Sequence, residues 1–409
     1  MTNLQPYIGT RDFLPSDWDK ELFIANKWRS SSKMMGFEEY DAPTIEEVSL
    51  FTRKSGEEIK SQLFYFKDRG DREVCLRPEL TPQLARFVIM YGKGLKKPLK
   101  WFSIPRCFRY ERPQKGRLRE FFQYNADIIG EVSVLATVEI LNLAISTLES
   151  FGLKSNDIVV RVNSRVLIDS FVKRFGVEDK SAFYLLLDKK LKITPKEFDD
   201  GLRNLVKEYD LAKRLFSLTD KELIVELDSL GFDVSRLKTV VELCNPEYLE
   251  VDLSIVRGLD YYTDIVFEAY DRGGKFRAIF GGGEYNNLVS DFGGEKTPAV
   301  GFAEGDAVLF EVLKDKKLLP DYLNNSVFIA TVGNVMTEAL KLRNFLLKKG
   351  VSCDINMSER NLSKQFEYAE NRGIHKVYII GEKDLEKDTI TVKDLVSGKE
   401  EKVKLSKFS

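Results

Sequence analysis

Arg106-Cys107-Phe108-Arg109-Tyr110-Glu111-Arg112-Pro113-Gln114-Lys115-Gly116-Arg117-Leu118-Arg119-Glu120-Phe121-Phe122-Gln123 is the stretch on which the fold of this chain turns. Between Arg106 and Glu120 it sets six basic residues against two acidic ones, in a protein of formal net charge −1. Apolar, strand-like residues flank it, Trp101-Phe102-Ser103-Ile104 ahead and Phe121-Phe122 behind, while Pro113 and Gly116 interrupt its middle. The pattern predicts two strands joined by a basic loop. Arg109 and Glu111 are expected on one strand face, with Arg112, Gln114 and Arg117 in the loop. Such a hairpin can lay guanidiniums on phosphate oxygens through bidentate, charge-assisted bonds; a solvated charged hairpin is the plainer alternative.

Length and composition bound the rest. At 409 residues, 43% hydrophobic and 31% charged, the chain suits two or three domains with substantial cores. A net charge near zero argues against bulk coating of nucleic acid, so any RNA contact should come from local patches. Cys75, Cys107, Cys244 and Cys353 are scattered without a Cys-x-x-Cys pair, which disfavours a disulfide framework or zinc site and suits a cytoplasmic address. The start carries no basic region followed by an apolar run, and no apolar stretch reaches membrane length. His375 is the only histidine. That rules out a histidine metal cluster and leaves carboxylates, arginines, lysines or a bound cofactor to do any chemistry.

Helical spacing of Trp18, Leu22, Phe23, Ala25, Trp28 and Met35 predicts a helix over 17–35, ended by Gly36 and followed by an extended segment to Pro43. Further helices are expected over 133–151 and 164–175, and a charged helical insertion over about 176–250. Strands are expected from Val256 to Tyr270 and from Arg277 to Phe280, then a glycine-rich turn at Gly281-Gly282-Gly283, a strand at Ala299–Ala303 and a helix over 306–313. After a linker at 318–326 the pattern alternates strand and helix, which predicts a small separate α/β domain. Over 326–409 fifteen basic residues face twelve acidic ones, a modest surplus that permits RNA contact.

Three further places invite chemistry. Glu79, in Leu76-Arg77-Pro78-Glu79-Leu80-Thr81, stands among prolines that keep the backbone out of helix, where a carboxylate can receive an ammonium group or make a surface ion pair. Arg257, in Val256-Arg257-Gly258-Leu259-Asp260-Tyr261-Tyr262, is costly in an apolar strand unless it meets an anion or pairs with Asp260. Gly281-Gly282-Gly283-Glu284-Tyr285 lacks the Gly-Lys-Ser/Thr of a nucleoside-triphosphate loop.

The pattern Phe-Arg-x-Glu, loop, Arg-x-Phe-x-Gln resembles the second signature motif of class II aminoacyl-tRNA synthetases. Glu111-Arg112-Pro113-Gln114-Lys115-Gly116-Arg117 and Arg257-Gly258-Leu259-Asp260-Tyr261-Tyr262-Thr263 resemble the histidyl-tRNA synthetase family. The resemblance implies an α+β fold: an antiparallel-sheet catalytic core in two parts (1–170 and 251–322), a helical insertion (171–250) and a C-terminal α/β anticodon-binding domain (326–409). It implies a homodimer built on the first long helix. Its expected partners are ATP with Mg2+, L-histidine and tRNA(His), with no membrane, no DNA and no tightly bound metal. By the same resemblance Arg109 and Arg257 act on the α-phosphate, and Arg109, Glu111 and Arg117 hold ATP. Glu79, Thr81, Gln123, Asp127, Arg257, Tyr261, Tyr262 and Tyr285 line the histidine pocket, and Arg112, Gln114 and Lys115 meet the tRNA acceptor end. The chain departs from the family at Asp264, Glu284 and Asn286, and at Val308, which stands where an arginine normally clamps ATP. That last departure predicts a raised requirement for ATP and leaves open a different class of function, a non-catalytic regulatory subunit of ATP phosphoribosyltransferase in histidine biosynthesis.

Overall fold

A computed structural model describes residues 4–408 except 56, 219, 258–260 and 321–323. Its residue contacts fall into two compact units, Met1–Leu319 and Pro320–Ser409.

In the first unit the strands run, in chain order, β1 (Glu38–Glu39), β2 (Ile45–Glu47), β3 (Tyr65–Lys67), β4 (Glu73–Leu76), β5 (Leu99–Ser103), β6 (Arg106–Phe108), β7 (Glu120–Ile129), β8 (Ile158–Ser164), β9 (Leu249–Val251), β10 (Ile265–Asp271), β11 (Phe280–Glu284) and β12 (Ala299–Gly305). Strands β2, β4 and β3 make a small sheet. The others form a nine-stranded sheet ordered β1-β5-β7-β12-β11-β10-β8-β9, with β6 paired to β7. Its pairs are antiparallel except β1/β5 and β8/β9.

The hydrophobic core lies on one face of this sheet. Tyr124, Ala126 and Ile128 of β7 and Val300 and Phe302 of β12 pack there with Ile24 and Trp28 of the helix Pro15–Met34 and with the buried side of Val134–Ser150. Trp28 stacks on Tyr124 with ring centroids 5.5 Å apart. Of the apolar stripe that sequence spacing predicts for the first helix, Trp28 faces the sheet while Leu22 is exposed; the buried face runs through Glu21, Ile24, Trp28, Ser31 and Ser32, and Gly36 turns the chain out of that helix at φ +78°. Among the described residues, 180–243 form five α-helices and a short 3-10 turn at Lys190–Lys192, and their buried aromatics, among them Phe183 and Phe198, continue the same core.

The second unit contains β13 (Asn324–Val332), β14 (Cys353–Ile355), β15 (Ile374–Gly381), β16 (Thr389–Asp394) and β17 (Glu400–Lys404), ordered β14-β13-β15-β16-β17. Val327 and Ile329 pack with the helix Met336–Lys348, whereas Phe328 and Ala330 pack with Ala369 of Leu362–Asn371. The two-residue period of β13 thus places one helix on each face. His375 is exposed on β15. The closing hairpin β16–β17 has no counterpart in the sequence expectations, because its polar residues disguise the alternation.

Four expectations need correction, the first being the strand expected from Arg277 to Phe280, which begins only at Phe280 as β11. The strand before the basic loop ends at Phe108, so Arg109 and Glu111 lie beyond it, where Glu111 N–H bonds back to Arg109 O at 2.8 Å. The strand expected from Val256 begins only at Ile265. Gly281–Gly283, expected as a turn, form the middle of β11. There glycine serves close approach: a Cβ on Gly281 would strike the Arg257 guanidinium. Of the linker, 321–323 lie outside the described residues.

Glu304 of β12 points into the core, fully buried, with neither carboxylate oxygen hydrogen-bonded among the described residues. Burial pushes its pKa up to about 8, and the nearby Trp28 indole offsets this only in part. A carboxyl raised in the folded state from 4.5 to about 8 favours folding below pH 4.5 and loses that advantage as pH climbs through 8. Glu304→Gln should therefore become progressively more stable than the parent between these pH values, with a constant difference above them. Melting curves across pH check this; parallel profiles for the two proteins would contradict it.

Candidate active site

The other face of β7 carries Gln123, Asn125 and Asp127, and all three open into one cavity of about 510 Å³. Strand β12 pairs alongside, setting Gly305, Ala303 and Gly301 opposite them. A Cβ on Gly301, whose Cα partner is Asp127, would collide with the Asp127 carboxylate. Asp127 is held by the Tyr285 hydroxyl, which donates to its Oδ1. Burial raises the Asp127 pKa to about 7 despite that hydrogen bond. Tyr261 packs near Tyr262 and Tyr285, with centroid separations of 4.8 and 5.9 Å, and closes this end of the cavity with rings.

Glu79 enters from the loop after β4. That loop is pinned by Arg77, a buried cation whose Nη1 donates to Asp41 Oδ1 at 2.8 Å and Ala42 O at 2.6 Å, and whose Nε donates to Arg106 O at 2.9 Å. Thr81 follows as the first residue of the helix Thr81–Tyr91 and also lines the cavity. Burial raises the Glu79 pKa, opposed by the charges of Arg109 and Arg257.

Arg109 donates from Nε to Pro78 O at 2.9 Å and lies 5.3 Å over the Phe121 ring. Among the described residues no carboxylate pairs with it, so its charge is available to a ligand. Arg257 differs. It sits at φ +56°, a left-handed conformation costly for a side-chain-bearing residue, and its Nη1 contacts Glu268 on β10. Glu268 also accepts from the Tyr270 hydroxyl. The alternative partner Asp260, with Gly258 and Leu259, lies outside the described residues.

Eleven residues singled out from sequence line this one cavity: Glu79, Thr81, Arg109, Glu111, Arg117, Gln123, Asp127, Arg257, Tyr261, Tyr262 and Tyr285. Glu111 and Arg117 form an ion pair at its mouth. Arg112, Gln114 and Lys115 do not line it; they are exposed on the hairpin outside, where Gln114 and Arg117 exchange backbone hydrogen bonds around Gly116. Val308 lines the cavity beside Gly116.

Sequence reasoning missed Glu268, Arg236 and the Arg11–Glu21–Asp306 cluster. Arg11 contacts Asp306 and, at 3.0 Å, Glu21; Asp306 Oδ1 accepts the Phe122 N–H at 3.1 Å, fixing the start of the helix Asp306–Asp315 against β7. Arg236 of the helix Ser235–Leu243 reaches Asp264 at 2.9 Å and Glu284 at 2.6 Å, so two of the chain's departures are answered by one cation from the insertion. Glu268, an isolated charge in Ile265-Val266-Phe267-Glu268-Ala269-Tyr270, carries a sequence signal; Arg236, Arg11 and Glu21 sit among other polar residues and carry none. Among the described residues no three His, Cys, Asp or Glu side chains converge as a metal site, and no helix is long and apolar enough to cross a membrane.

A sequence family described as histidyl-tRNA synthetase matches residues 9–305, and one described as anticodon binding domain matches 326–409. The histidine–tRNA ligase, chloroplastic/mitochondrial, of Arabidopsis thaliana is 37% identical over 99% of this chain and 86% of its own length. The histidine–tRNA ligase of Thermoplasma volcanium is 37% identical over 97% and 95% respectively. The crystal structure of histidyl-tRNA synthetase from Nostoc sp. PCC 7120 superposes with a TM-score of 0.86 over 100% of this chain and 99% of that one; at 24% identity the likeness speaks for the fold.

The Arg257–Glu268 pair generates a stability test. Each side chain keeps about a fifth of its exposure, at 19% and 18%. Arg257→Ala should thus cost on the order of 2–3 kcal/mol, below the ~3–5 of a fully buried broken pair. Arg257→Ala/Glu268→Gln should recover most of it, as denaturant melts will check; equal losses in both variants would mean that the pair does not hold the left-handed turn.

Proposed function

The chain belongs to the histidyl-tRNA synthetase family, and on that premise we propose that it activates L-histidine with ATP and transfers it to tRNA(His). A histidine carboxylate oxygen attacks the α-phosphorus, the bond to the β-phosphate breaks, and pyrophosphate leaves. The terminal ribose hydroxyl of the tRNA then attacks the histidyl carbonyl and AMP departs. No covalent enzyme intermediate is needed; positioning and charge stabilisation carry the chemistry.

Arg109 and Arg257 flank the α-phosphate in this reading, and Glu111 and Arg117 hold the remainder of the nucleotide. Glu79, Thr81, Gln123 and Asp127 receive the ammonium side of histidine, with Tyr261, Tyr262 and Tyr285 about its imidazole. Magnesium arrives as MgATP, a part of the substrate. Arg112, Gln114 and Lys115 meet the acceptor end, and the second unit takes the anticodon. We further propose a homodimer through the first long helix and a cytoplasmic address, which the unpaired cysteines suit.

The observation that carries the reading is the meeting in one cavity of Arg109, which has no carboxylate partner among the described residues, with the buried carboxylates Glu79 and Asp127. The regulatory alternative draws on Val308 but leaves the segment 326–409, matched as an anticodon binding domain, without a task.

Wild-type protein should catalyse histidine-dependent exchange of labelled pyrophosphate into ATP. Failure at every ATP concentration, with histidine still binding, would favour the regulator. Residues 1–319 alone should keep most of this exchange while losing aminoacylation of tRNA; a parallel fall in both activities would make the second unit structural.

A further inference from the structure

Beyond Val308 lies a second cavity of about 330 Å³, lined by Lys115, Gly116, Lys275, Phe276, Arg277 and Val308. Gly116 and Val308 line the main cavity too, so the two spaces share a wall. Within that wall Gly116 and Val308 stand against one another: a Cβ on Gly116 would lie 3.1 Å from Val308 Cγ2. Three cations surround the outer space. Lys115 and Lys275 lie 5.3 and 5.4 Å over the Phe276 ring, and each has a carboxylate on the helix Asp306–Asp315, Glu311 at 3.2 Å for Lys115 and Asp315 for Lys275.

Arg277 has none among the described residues. Its Nη2 donates to the neutral Gln114 Oε1 at 2.7 Å, which holds the guanidinium beside the basic hairpin without neutralising it. Arg117 lies within electrostatic reach of both Arg277 and Arg109; after burial, those two charges depress its pKa. The guanidiniums thus form a series, Arg109 and the Glu111-paired Arg117 in the main cavity and Arg277 outside it, whose two ends have no carboxylate partner among the described residues and could be bridged by an extended polyanion.

We propose that Arg277, flanked by Lys115 and Lys275, is the subsite for the outer phosphates of a nucleoside triphosphate, supplying from the entry to β11 the cation that Val308 cannot. The inference rests on the proposed use of ATP in the main cavity, and it offsets the raised ATP requirement that Val308 alone would predict. Gln114 then has a second task, fixing Arg277.

The test compares wild type, Arg277→Ala and Arg277→Lys, all full length, in equilibrium binding of ATP and of AMP at fixed excess magnesium. Histidine affinity and pyrophosphate exchange are measured alongside. Arg277→Ala should weaken ATP binding about ten- to hundredfold, leave AMP and histidine affinities unchanged, and raise the KM for ATP more than it lowers kcat. Arg277→Lys should recover part of the loss. Unchanged ATP affinity in Arg277→Ala overturns the subsite, and so does an equal loss for ATP and AMP, which would place its effect elsewhere. Wild type that binds ATP but catalyses no exchange refutes the ligase reading while leaving the subsite to be judged by ATP against AMP.

Discussion

The two-residue period of a β-strand, imposed on Glu120–Ile129, separates the chemistry of this protein from its core. Tyr124, Ala126 and Ile128 turn one way, into a core closed by Trp28; Gln123, Asn125 and Asp127 turn the other way, into the cavity. A slip of one residue would exchange the two sets and destroy both. Register is held by neighbours that leave little choice: Gly301 admits the Asp127 carboxylate, and the Phe122 N–H is tied to Asp306.

Arginines are sorted by their partners. Arg77 is spent on structure, its donors directed at Asp41 and at backbone carbonyls, and it thereby fixes the loop that carries Glu79. Arg236 joins the insertion to Asp264 and Glu284. Arg257 is half committed, held by Glu268 yet lining the cavity. Arg109 is left without a carboxylate among the described residues and rests on the Phe121 ring. An unpaired cation held by packing is ready for an anion without first breaking an ion pair.

What was legible in the sequence follows the range of the interactions. The helices at Pro15–Met34 and Val134–Ser150 and the alternation after residue 324 rest on local periodicity, and they appear in the fold as expected. The hairpin motif, being short and chemically dense, names Arg109, Glu111, Arg117 and Gln123, which the fold gathers around one space, while its Arg112, Gln114 and Lys115 stay outside it. Partners distant in sequence were invisible: nothing near Arg257 points to Glu268, and nothing near Glu284 points to Arg236. Gly281–Gly283 misled for a physical reason. Glycine marks turns and tight strand contacts alike, and only the neighbour across the sheet tells which applies.

The solitary His375, exposed on β15 of the second unit, has a spectroscopic consequence. In proton or nitrogen resonance spectra the protein contributes a single imidazole, and that one belongs to the unit that does not contain the cavity. The ring nitrogens of an isotopically labelled free histidine entering the cavity would therefore have a single protein imidazole to be told from, and their shifts would report the protonation state of the bound ring.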